Sequence, residues 1–552
     1  MSLASPVPDL SRPSDHARTD RAPVRTAATP VLIGVAAALA LGAPAAPATA
    51  QQALTPERIG ELTEGRADEA FELYRELLSF PNDAKHPDDI LRLTEWLEGR
   101  FEERGFATER LEMPGSDAIL ATRDAEGSDR TVLIYLQADG QPVDPSAWHQ
   151  ESPWTPTLKA RRPGAPMTSV DGNPDAWETL EWERLYEEPD PEWRMFARSA
   201  SDSKGPIAQF LSAISLLDEA GVEPDFDMTV IVDPEEEMGS PHLPEAVERY
   251  RDRLAADMLV IFDGPPHNSG EPTLTFGARG IADITLTTYG PRVPQHSGHW
   301  GNYVPNPAVR LAQVIASMKD ADGRVTIPGF YDGITIDPET RAILEAVPDE
   351  LDALHERMGI SDPDDVADSP QEAIQYPSVN VRGMRSAWVG SEARTIIPAT
   401  AVAEIDVRLV RESDPDRLID LIRDHIESLG YHIVSGRDPT DEERARHGRL
   451  IRFDSSVSYL AFRTDFDSEA GRWLVTAYER LFGERPIMIR TGGGSIPISP
   501  FVTTLGVPAV QVGTVNPDNN QHSPNENLRV FDFLRGIRII AAVLSQPMVD
   551  AS

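Results

Sequence analysis

Hydrophobic positions along the chain follow two spacings, one typical of helices and one typical of buried strands. Between Thr55 and about Gly105, apolar residues recur every three or four positions, which predicts two amphipathic helices with Pro81 and Pro87 between them. Helical spacing returns in four later segments, Ile207–Ala220, Asn306–Met318, Asp416–Leu429 and Ser468–Phe482. Short runs of strand length occur at Ala118–Arg123, Thr131–Leu136, Met228–Val232, Met258–Phe262 and Ala509–Val512. Strands that alternate with helices in this way predict an α/β domain.

The middle of the chain has a different pattern. Ile281–Tyr289 and Ala401–Leu409 alternate apolar and polar residues, and each is followed by a helical segment. This order of strands and helices is typical of a ferredoxin-like α+β module inserted into the α/β domain. Two further segments differ from both patterns: Trp148–Arg194 is predicted to be loop-rich, and Gly323–Ile374 is predicted to be an acidic, mostly helical excursion.

Four parts follow from these patterns: a leader of residues 1–50, a first domain in two pieces, residues 51–279 and 461–552, and an inserted domain of residues 280–460. The leader contains the apolar run Val31–Leu41 followed by small residues, which is typical of a secretory signal peptide. We therefore expect a periplasmic or secreted protein. An uncleaved N-terminal anchor is the alternative, and the run is short for a membrane span.

The balance of charge excludes several classes of partner. The 552 residues include 90 acidic and 51 basic side chains, which gives a formal net charge of -39. Such a surface repels nucleic acid and anionic membranes, so we expect no nucleic-acid partner and no stable membrane partner. The chain has no Cys, and any metal ion would therefore be bound by His, Asp and Glu.

Candidate chemistry lies where the predicted strands end. Asp139, the triplet Glu235–Glu237 and Asp263 each follow a strand, and Asp202 comes just before a helix. Open α/β sheets bind ligands at the carboxyl ends of their strands. Adjacent carboxylates repel one another unless a cation holds them, and a divalent metal allows one Glu to bind it while its neighbour acts as general base. Solvated acidic turns and a helix cap at Asp202 are the alternatives.

Seven short motifs in chain order carry a family resemblance: Asp139-Gly-Gln-Pro-Val-Asp, Ser-Asp202-Ser-Lys-Gly-Pro, Glu236-Glu237-Met-Gly-Ser, Asp263, His296-Ser-Gly, Gly-Gly-Ser495-Ile-Pro and His522-Ser-Pro-Asn-Glu. Past the leader, the chain resembles the co-catalytic zinc exopeptidases that include carnosine dipeptidases, carboxypeptidase G and acetylornithine deacetylase. The resemblance implies a mixed-sheet α/β catalytic domain and makes the inserted α+β domain a lid and dimerisation domain, so a homodimer is expected.

The resemblance also implies a role for individual residues. Asp202 would bridge two Zn²⁺ ions, Glu237 and His522 would complete one metal site, and Asp263 would serve the other. Glu236 would be the general base. The remaining implied residues are Asp139 and His296 in catalysis, and Arg408, Asn302, Ser495 and Gly494 in substrate binding.

One position departs from the family pattern. The family begins its first motif with His-x-Asp, in which Asp orients a metal-binding His, whereas this chain has Gln137-Ala-Asp139. An amide oxygen is a weak neutral ligand that suits hard cations better than zinc. We therefore expect two metal ions per chain with one site weakened, or Mn²⁺ in that site. His149 is the nearby alternative ligand.

The function implied is a secreted metal-dependent hydrolase that cleaves the amide bond of dipeptides, short peptides or N-acyl amino acids. Metal-activated water would attack the carbonyl while Glu236 accepts the proton. A catalytically impaired homologue that binds a peptide or an amino acid is the alternative, and Gln137 is the residue that supports it.

Overall fold

The computed structural model describes residues 53–165 and 174–548. The predicted leader, residues 1–50, lies outside the described residues and stays a prediction. No helix within the two described ranges combines the length and the apolar content needed to cross a bilayer.

Helices occur along the whole of the described chain. They are α1 (Pro56–Gly65), α2 (Ala67–Leu78), α3 (Pro87–Glu102), α4 (Lys204–Ala220), α5 (Leu243–Arg249), α6 (Ser297–Trp300), α7 (Pro307–Ala316), α8 (Pro338–Glu345), α9 (Leu351–Met358), α10 (Pro370–Ala373), α11 (Pro415–Ser428), α12 (Asp441–Arg446), α13 (Glu469–Phe482) and α14 (Val530–Leu544).

The strands are β1 (Ala107–Leu111), β2 (Ala118–Arg123), β3 (Thr131–Gln137), β4 (Thr157–Arg161), β5 (Trp177–Leu180), β6 (Arg194–Phe196), β7 (Asp227–Asp233), β8 (Met258–Phe262), β9 (Thr273–Thr275), β10 (Gly277–Ala278), β11 (Gly280–Tyr289), β12 (Gln295–His296), β13 (Ser378–Arg385), β14 (Ile396–Ile397), β15 (Thr400–Leu409), β16 (His432–Val434), β17 (Leu450–Tyr459), β18 (Phe462–Arg463), β19 (Ile487–Ile489), β20 (Ala509–Val512) and β21 (Asn527–Arg529).

The largest sheet has eight strands in the order β1-β2-β7-β3-β8-β20-β9-β19. Its centre is parallel, since β3 pairs in parallel with β7 and β8, and β20 pairs in parallel with β8. Alternate strand residues enter two cores: one face packs on α1–α4, α13 and α14, and the other packs on α5. Strands buried on both faces need apolar residues at every position, which explains their continuous apolar runs. The predicted mixed-sheet α/β fold is confirmed.

The inserted domain contains a five-stranded sheet in the order β13-β15-β11-β17-β16. Its first four strands are antiparallel neighbours, and α7 and α11 pack on one face of them to form a separate core. This is the βαββαβ arrangement that the alternating strands predicted. The predicted boundaries at residues 280 and 460 stay predictions; in the structure β11 begins at Gly280 and β17 ends at Tyr459.

Two local predictions were wrong, and a third was incomplete. The first predicted helix is two helices, α1 and α2, because the chain leaves helical geometry at Arg66, where φ is -116°. Gly323–Ile374 is not mostly helical, since α8, α9 and α10 are short and are joined by loops with several Asp and Pro residues. The segment Trp148–Arg194 is rich in loops as predicted, but it also contains β4 and β5, which join β6 and β21 in a four-stranded sheet, order β21-β6-β4-β5.

Candidate metal centre

The carboxyl ends of three neighbouring parallel strands define one edge of the large sheet. There β3 ends at Gln137, β7 ends at Asp233, and Asp263 follows β8 directly. Because parallel strands point the same way, side chains from distant parts of the sequence meet at this edge. Asp233 itself is fully buried and accepts hydrogen bonds from Tyr135 and from Ser240, so it anchors the loop after β7.

Asp139 organises the turn that carries the three adjacent Glu residues. Its Oδ1 and Oδ2 atoms accept hydrogen bonds from the backbone N–H groups of Glu236 and Glu237, each at 2.9 Å. Glu235 turns away from the sheet edge, where its carboxylate accepts from the Ser116 N–H and lies 2.7 Å from His242 Nδ1. The three carboxylates therefore separate, and only Glu236 and Glu237 face the edge where Gln137 and Asp263 lie.

A buried carboxylate, Glu526, shapes the loop that ends in Asp202. It accepts hydrogen bonds from the backbone N–H groups of Ser199, Ser201 and Asp202, each at 2.9 Å. The guanidinium of Arg198, also buried, donates to it at 2.8 Å. One side chain thus satisfies three backbone donors, so the orientation of Asp202 depends on a residue 324 positions away in the sequence.

Asp202, Glu237 and His522 form a candidate metal site. His522 Nε2 lies 2.9 Å from Asp202 Oδ2 and 3.3 Å from Glu237 Oε2. One possible ligand atom of each residue lies within 4.8 Å of the others, and this is the one such group of His, Asp and Glu found within residues 53–165 and 174–548. His522 has a positive φ of 60°, a conformation that non-glycine residues adopt mainly where the surrounding structure enforces it.

Gln137 and Asp263 lie on the other side of Asp202, around Ser203. The Ser203 hydroxyl contacts Gln137 Oε1 and lies 2.9 Å from Asp202 Oδ1 and 3.2 Å from Asp263 Oδ1. Asp202 therefore faces His522 with one carboxylate oxygen and Ser203 with the other. The structure thus brings together the predicted ligands Gln137, Asp202, Glu237, Asp263 and His522. The predicted alternative, His149, is exposed and its ring makes no polar contact with this group in the described chain.

The pKa values at this edge rise because the acids are buried and repel one another. Burial and the Asp202 charge raise the pKa of Glu237 to about 8 and that of Asp263 to about 7. Burial, followed by Asp202 and Asp263, also raises the pKa of Glu236 well above its usual value. The hydrogen bond to Asp202 raises the pKa of His522 to about 9. Within the described ranges no Lys or Arg makes an ion pair with these acids, so a divalent cation is the charge that this edge lacks.

Two of the predicted substrate-binding residues meet where the inserted domain joins the large sheet. Arg408 Nη1 donates to Ser495 Oγ at 2.8 Å, and its Nε lies 3.1 Å from Asp406 Oδ2. The neighbouring Gly494 carbonyl accepts a hydrogen bond from the Arg279 N–H. Arg408 is about a third exposed, so part of its guanidinium remains accessible to a ligand.

His296 and Asn302 lie elsewhere, on the exposed surface of the inserted domain. The His296 ring stacks on His299 at 4.5 Å and accepts a hydrogen bond from the Gly298 N–H. Asn302 has a φ of 64° in the same loop. Within the described part of one chain, neither side chain has a hydrogen bond or ion pair to the metal-site acids.

Besides Ser203, three residues at the site were missed by the sequence reasoning. Gln141 Nε2 donates to Glu237 Oε2 at 2.7 Å, and Glu526 holds the Asp202 loop. Both lie inside quoted motifs, so their positions were available although their contacts were not. Tyr459, at the end of β17, places its hydroxyl against the α-carbon of Gly239, and nothing in the sequence around it indicates this contact.

Known proteins resemble this chain over most of its length. The model of peptidase family M20/M25/M40 matches residues 169–546, which is more than half of the chain. A Cys-Gly metallodipeptidase of Schizosaccharomyces pombe is 24% identical over 509 residues, covering 89% of this chain and 98% of that protein.

Solved structures share the fold. An M20 family metallo-carboxypeptidase from Sulfolobus solfataricus superposes with a TM-score of 0.69 at 24% identity, covering 87% of this chain and 99% of that one. Human carnosine dipeptidase 1 gives 0.68 at 20% identity, covering 89% and 98%. A Bacillus subtilis protein described as a dinuclear metal-binding peptidase of the M20 family gives 0.50 at 13% identity, covering 87% and 98%.

Proposed function

The chain belongs to peptidase family M20/M25/M40 and is a metallopeptidase, and from this premise we propose that it hydrolyses the amide bond of dipeptides or N-acyl amino acids. The observation that carries the proposal is the group Asp202, Glu237 and His522, which lies beside the partly buried Glu236 at the edge of the large sheet. The matched dipeptidases support the substrate class, since two of the similar proteins are described as dipeptidases.

Members of this family bind a dinuclear metal centre, and one position in this chain fits a metal ion by its donors. Asp202, Glu237 and His522 supply two carboxylates and an imidazole, a set that suits Zn²⁺. A bound divalent ion polarises the scissile carbonyl and acidifies water. We therefore propose zinc as the ion held by His522.

Each remaining step is carried out by a protein side chain. Glu236 accepts a proton from the attacking water and returns it to the leaving nitrogen, because it is the carboxylate at this edge that makes no side-chain hydrogen bond in the described chain. Asp139 holds Glu236 and Glu237 in place through their backbone N–H groups. Arg408 and Ser495 bind the free carboxylate of the substrate, since a guanidinium can contact both carboxylate oxygens.

We further propose a homodimer in which the inserted domain of one subunit completes the site of the other. His296 and Asn302 are exposed on that domain, beside the exposed aromatic side chains of Trp300 and Tyr303. The free edge strand β13 lies on the same domain and ends in exposed residues. A substrate carbonyl would then be contacted by His296 of the partner subunit.

Mixing two inactive variants tests this arrangement. When Glu236→Gln and His296→Ala chains are refolded or co-expressed together, each mixed dimer keeps one complete site if His296 acts across the interface. Because about half of the dimers are mixed, about a quarter of wild-type activity should return. No recovery from proteins that do form mixed dimers would place His296 outside the partner's site.

Secretion to the periplasm or the medium is also proposed, and it rests on the leader sequence alone. Fractionation of cells that express the full chain, followed by N-terminal sequencing of the mature protein, tests it. Cleavage after Ala50 is expected, and a cytoplasmic protein that retains the leader would contradict the proposal.

A panel of dipeptides and N-acyl amino acids, assayed with metal-loaded protein, tests the proposed reaction. Wild-type protein should release free amino acids, and Glu236→Gln should not. If metal-loaded wild-type protein hydrolyses nothing in the panel but binds its members, the hydrolase proposal fails and a peptide-binding role replaces it.

A further inference from the structure

Three side-chain oxygen atoms converge on the hydroxyl of Ser203. They are Gln137 Oε1, Asp202 Oδ1 at 2.9 Å and Asp263 Oδ1 at 3.2 Å. A serine hydroxyl carries one proton and can donate it to only one acceptor at a time. The other two acceptors are therefore left facing an oxygen atom, and a positive charge at this point would satisfy them together.

No Lys or Arg of the described chain supplies such a charge at Ser203. Ser203, Gln137 and Asp263 are buried, at 1%, 3% and 9% exposure. In the described chain Gln137 makes its one side-chain hydrogen bond to Ser203, and no Lys or Arg forms an ion pair with Asp263. The neighbouring Lys204 points away, because its ammonium group contacts the Phe80 carbonyl. A buried carboxylate beside unsatisfied acceptors is the environment of a cation site.

Asp202 connects this point to the site of His522. Its Oδ2 lies 2.9 Å from His522 Nε2, while its Oδ1 lies 2.9 Å from Ser203 Oγ. One carboxylate with its two oxygens turned to opposite sides is the geometry of a bridge between two adjacent ions. The two sides differ in chemistry, since His522 contributes nitrogen to one and the other offers only oxygen.

We propose that the metal centre is asymmetric, with a zinc-type position at His522 and an all-oxygen position at Gln137, Ser203 and Asp263 that binds a hard divalent cation such as Mn²⁺ or Mg²⁺. Hard cations prefer carboxylate, amide carbonyl and hydroxyl oxygens, and a Ser or Thr hydroxyl is a known ligand of Mg²⁺ in nucleotide-binding loops. The residues of the second position do not fit a second zinc ion, which is favoured by imidazole or thiolate. This inference rests on the proposed metallopeptidase function but predicts metal content, not turnover.

Metal content measured on chelator-stripped and reloaded protein tests the inference. With ZnCl₂ alone at stoichiometric excess, about one tightly bound zinc per chain is expected. With one equivalent of ZnCl₂ per chain and an excess of MnCl₂, one zinc and one manganese are expected. Bound Mn²⁺ also gives an electron paramagnetic resonance signal distinct from that of the free ion. Two tightly held zinc ions that exclude manganese would overturn the inference, and so would a single ion per chain in every mixture.

Variants locate the manganese. Ser203→Ala and Asp263→Asn should each raise the dissociation constant for Mn²⁺ by about ten- to hundredfold and leave the zinc at His522 in place. Retention of that zinc shows that the variant has folded. Ser215→Ala, on helix α4, which begins directly after Ser203, is the matched control and should change neither metal. The Ser215 hydroxyl is bonded to Arg104 and the Leu211 carbonyl. Unchanged Mn²⁺ affinity in both site variants would exclude this position.

Gln137→His gives the converse test. An imidazole at this position should convert the all-oxygen set into one that accepts zinc, so that zinc content rises towards two ions per chain and Mn²⁺ is displaced. If Mn²⁺ is still preferred, the oxygen donors do not set the selectivity and the inference fails. If metal contents follow the expectation but no peptide is hydrolysed, the proposed reaction fails while the asymmetric centre stands.

Discussion

Glu235, Glu236 and Glu237 are adjacent in sequence, yet each has a different environment. Glu235 is buried against the Ser116 backbone and His242, Glu237 faces His522 and accepts from Gln141, and Glu236 makes no side-chain hydrogen bond in the described chain. The cause is Asp139, which fixes the turn by accepting from two consecutive backbone N–H groups. The three side chains are chemically identical, so their different environments result from the geometry of the turn.

Replacing Glu236 should separate chemistry from metal binding. Glu236→Gln removes a base but no proposed ligand, so the rate should fall by roughly 10²–10⁴-fold while metal content and thermal stability stay near wild type. His522→Ala, in contrast, should lower metal content. Rate measurements and metal analysis on the same preparations decide the outcome; a Glu236→Gln enzyme that keeps more than about a hundredth of the rate would remove Glu236 from the role of base.

Glu526 should stabilise the folded protein as well as position the loop that ends in Asp202. Glu526→Gln leaves the buried guanidinium of Arg198 without its carboxylate, and breaking a buried pair costs about 3–5 kcal/mol. Metal content should fall as well, because the amide offers one acceptor oxygen where the carboxylate offered two, so the loop that ends in Asp202 loses part of its hydrogen bonding. The control is Glu64→Gln, whose partner Arg538 lies at the surface and whose own side chain is 74% exposed. Equal denaturation midpoints for the two variants would contradict this role.

The acids at the edge of the large sheet could be selected from the sequence because acids that follow buried strands are rare enough, taken together, to indicate a site. His522 was selected only through the family resemblance. The hydrogen bonds of Glu526, Gln141 and Ser203 could not be predicted, because they depend on how loops from distant parts of the chain meet. Gln137 shows the same limit, since the sequence singled out this residue but not the serine hydroxyl that it contacts.

At the scale of elements, three neighbouring strands of the inserted domain place one residue each side by side. This row extends towards the turn that carries Glu236. Ile281 on β11 pairs with Arg408 on β15 and with Tyr459 on β17. Neighbouring strands lie about 4.8 Å apart, so Arg408 and Tyr459 are about 10 Å apart across the row. Tyr459 touches Gly239, at the end of the turn that carries Glu236, so the row that begins at Arg408 reaches that turn through Tyr459.

Arg408→Ala should impair recognition of a free carboxylate. KM should rise for dipeptides with a free C-terminus and change little for C-terminal amides, because a bidentate guanidinium contact exists only where the carboxylate exists. Arg382→Ala on β13 is the control, since Arg382 pairs with Asp283 on the same sheet. Equal losses on acids and amides would exclude Arg408 from carboxylate binding.

The sheet formed by β4, β5, β6 and β21 contains a buried cation, Lys159. Burial lowers its pKa to about 8; its ammonium group lies 3.0 Å from the His149 carbonyl and 4.4 Å from the centre of the Phe196 ring. In the unfolded chain its pKa would be about 10.4, so between those values the unfolded state binds more protons and stability rises with pH. Below pH 8 the ammonium group is charged in the folded state, so the full free-energy cost of burying that charge opposes folding.

Lys159→Met should therefore be more stable than wild type, with the largest difference in the free energy of unfolding at neutral pH. This difference should shrink as the pH approaches about 10. Denaturant midpoints of both proteins at several pH values measure it. Lys85→Met, at an exposed position, is the control and should show no pH-dependent difference. A Lys159→Met difference that grows with pH would contradict the assignment of a depressed pKa.

Strands and helices were predicted correctly where one spacing of apolar residues dominates, and they were missed where no single spacing does. The runs Met258–Phe262 and Ala509–Val512 match β8 and β20 to the residue, because strands buried on both faces are apolar throughout. Strands β4 and β5 were missed, since one edge of their small sheet is exposed and their residues include Lys159, Arg161 and Glu178. Pairing with the distant strand β6 stabilises them, and a local pattern does not carry that information.

At the scale of the whole molecule, the net charge of -39 should make stability depend on salt. Raising ionic strength from about 10 mM to about 150 mM shortens the Debye length from roughly 30 Å to roughly 8 Å, which screens repulsion between surface acids. Tm should therefore rise over this range, for metal-free and metal-loaded protein alike, with NaCl and with KCl. A Tm that stays constant or falls would show that attractive surface ion pairs outweigh the repulsion.

The hydrogen bonds between Glu526 and the Asp202 loop also determine when, during synthesis of the chain, the metal site can form. The chain emerges from the ribosome, or threads through an export channel, with its N-terminal end first, so Asp202 appears 324 residues before the side chain that orients it. At roughly 5–20 residues per second, synthesis of that stretch takes roughly 15–65 s. His522 arrives in the same late segment. A nascent chain therefore carries no assembled metal site until this segment has been synthesised, and the capacity to cut peptides appears only after that.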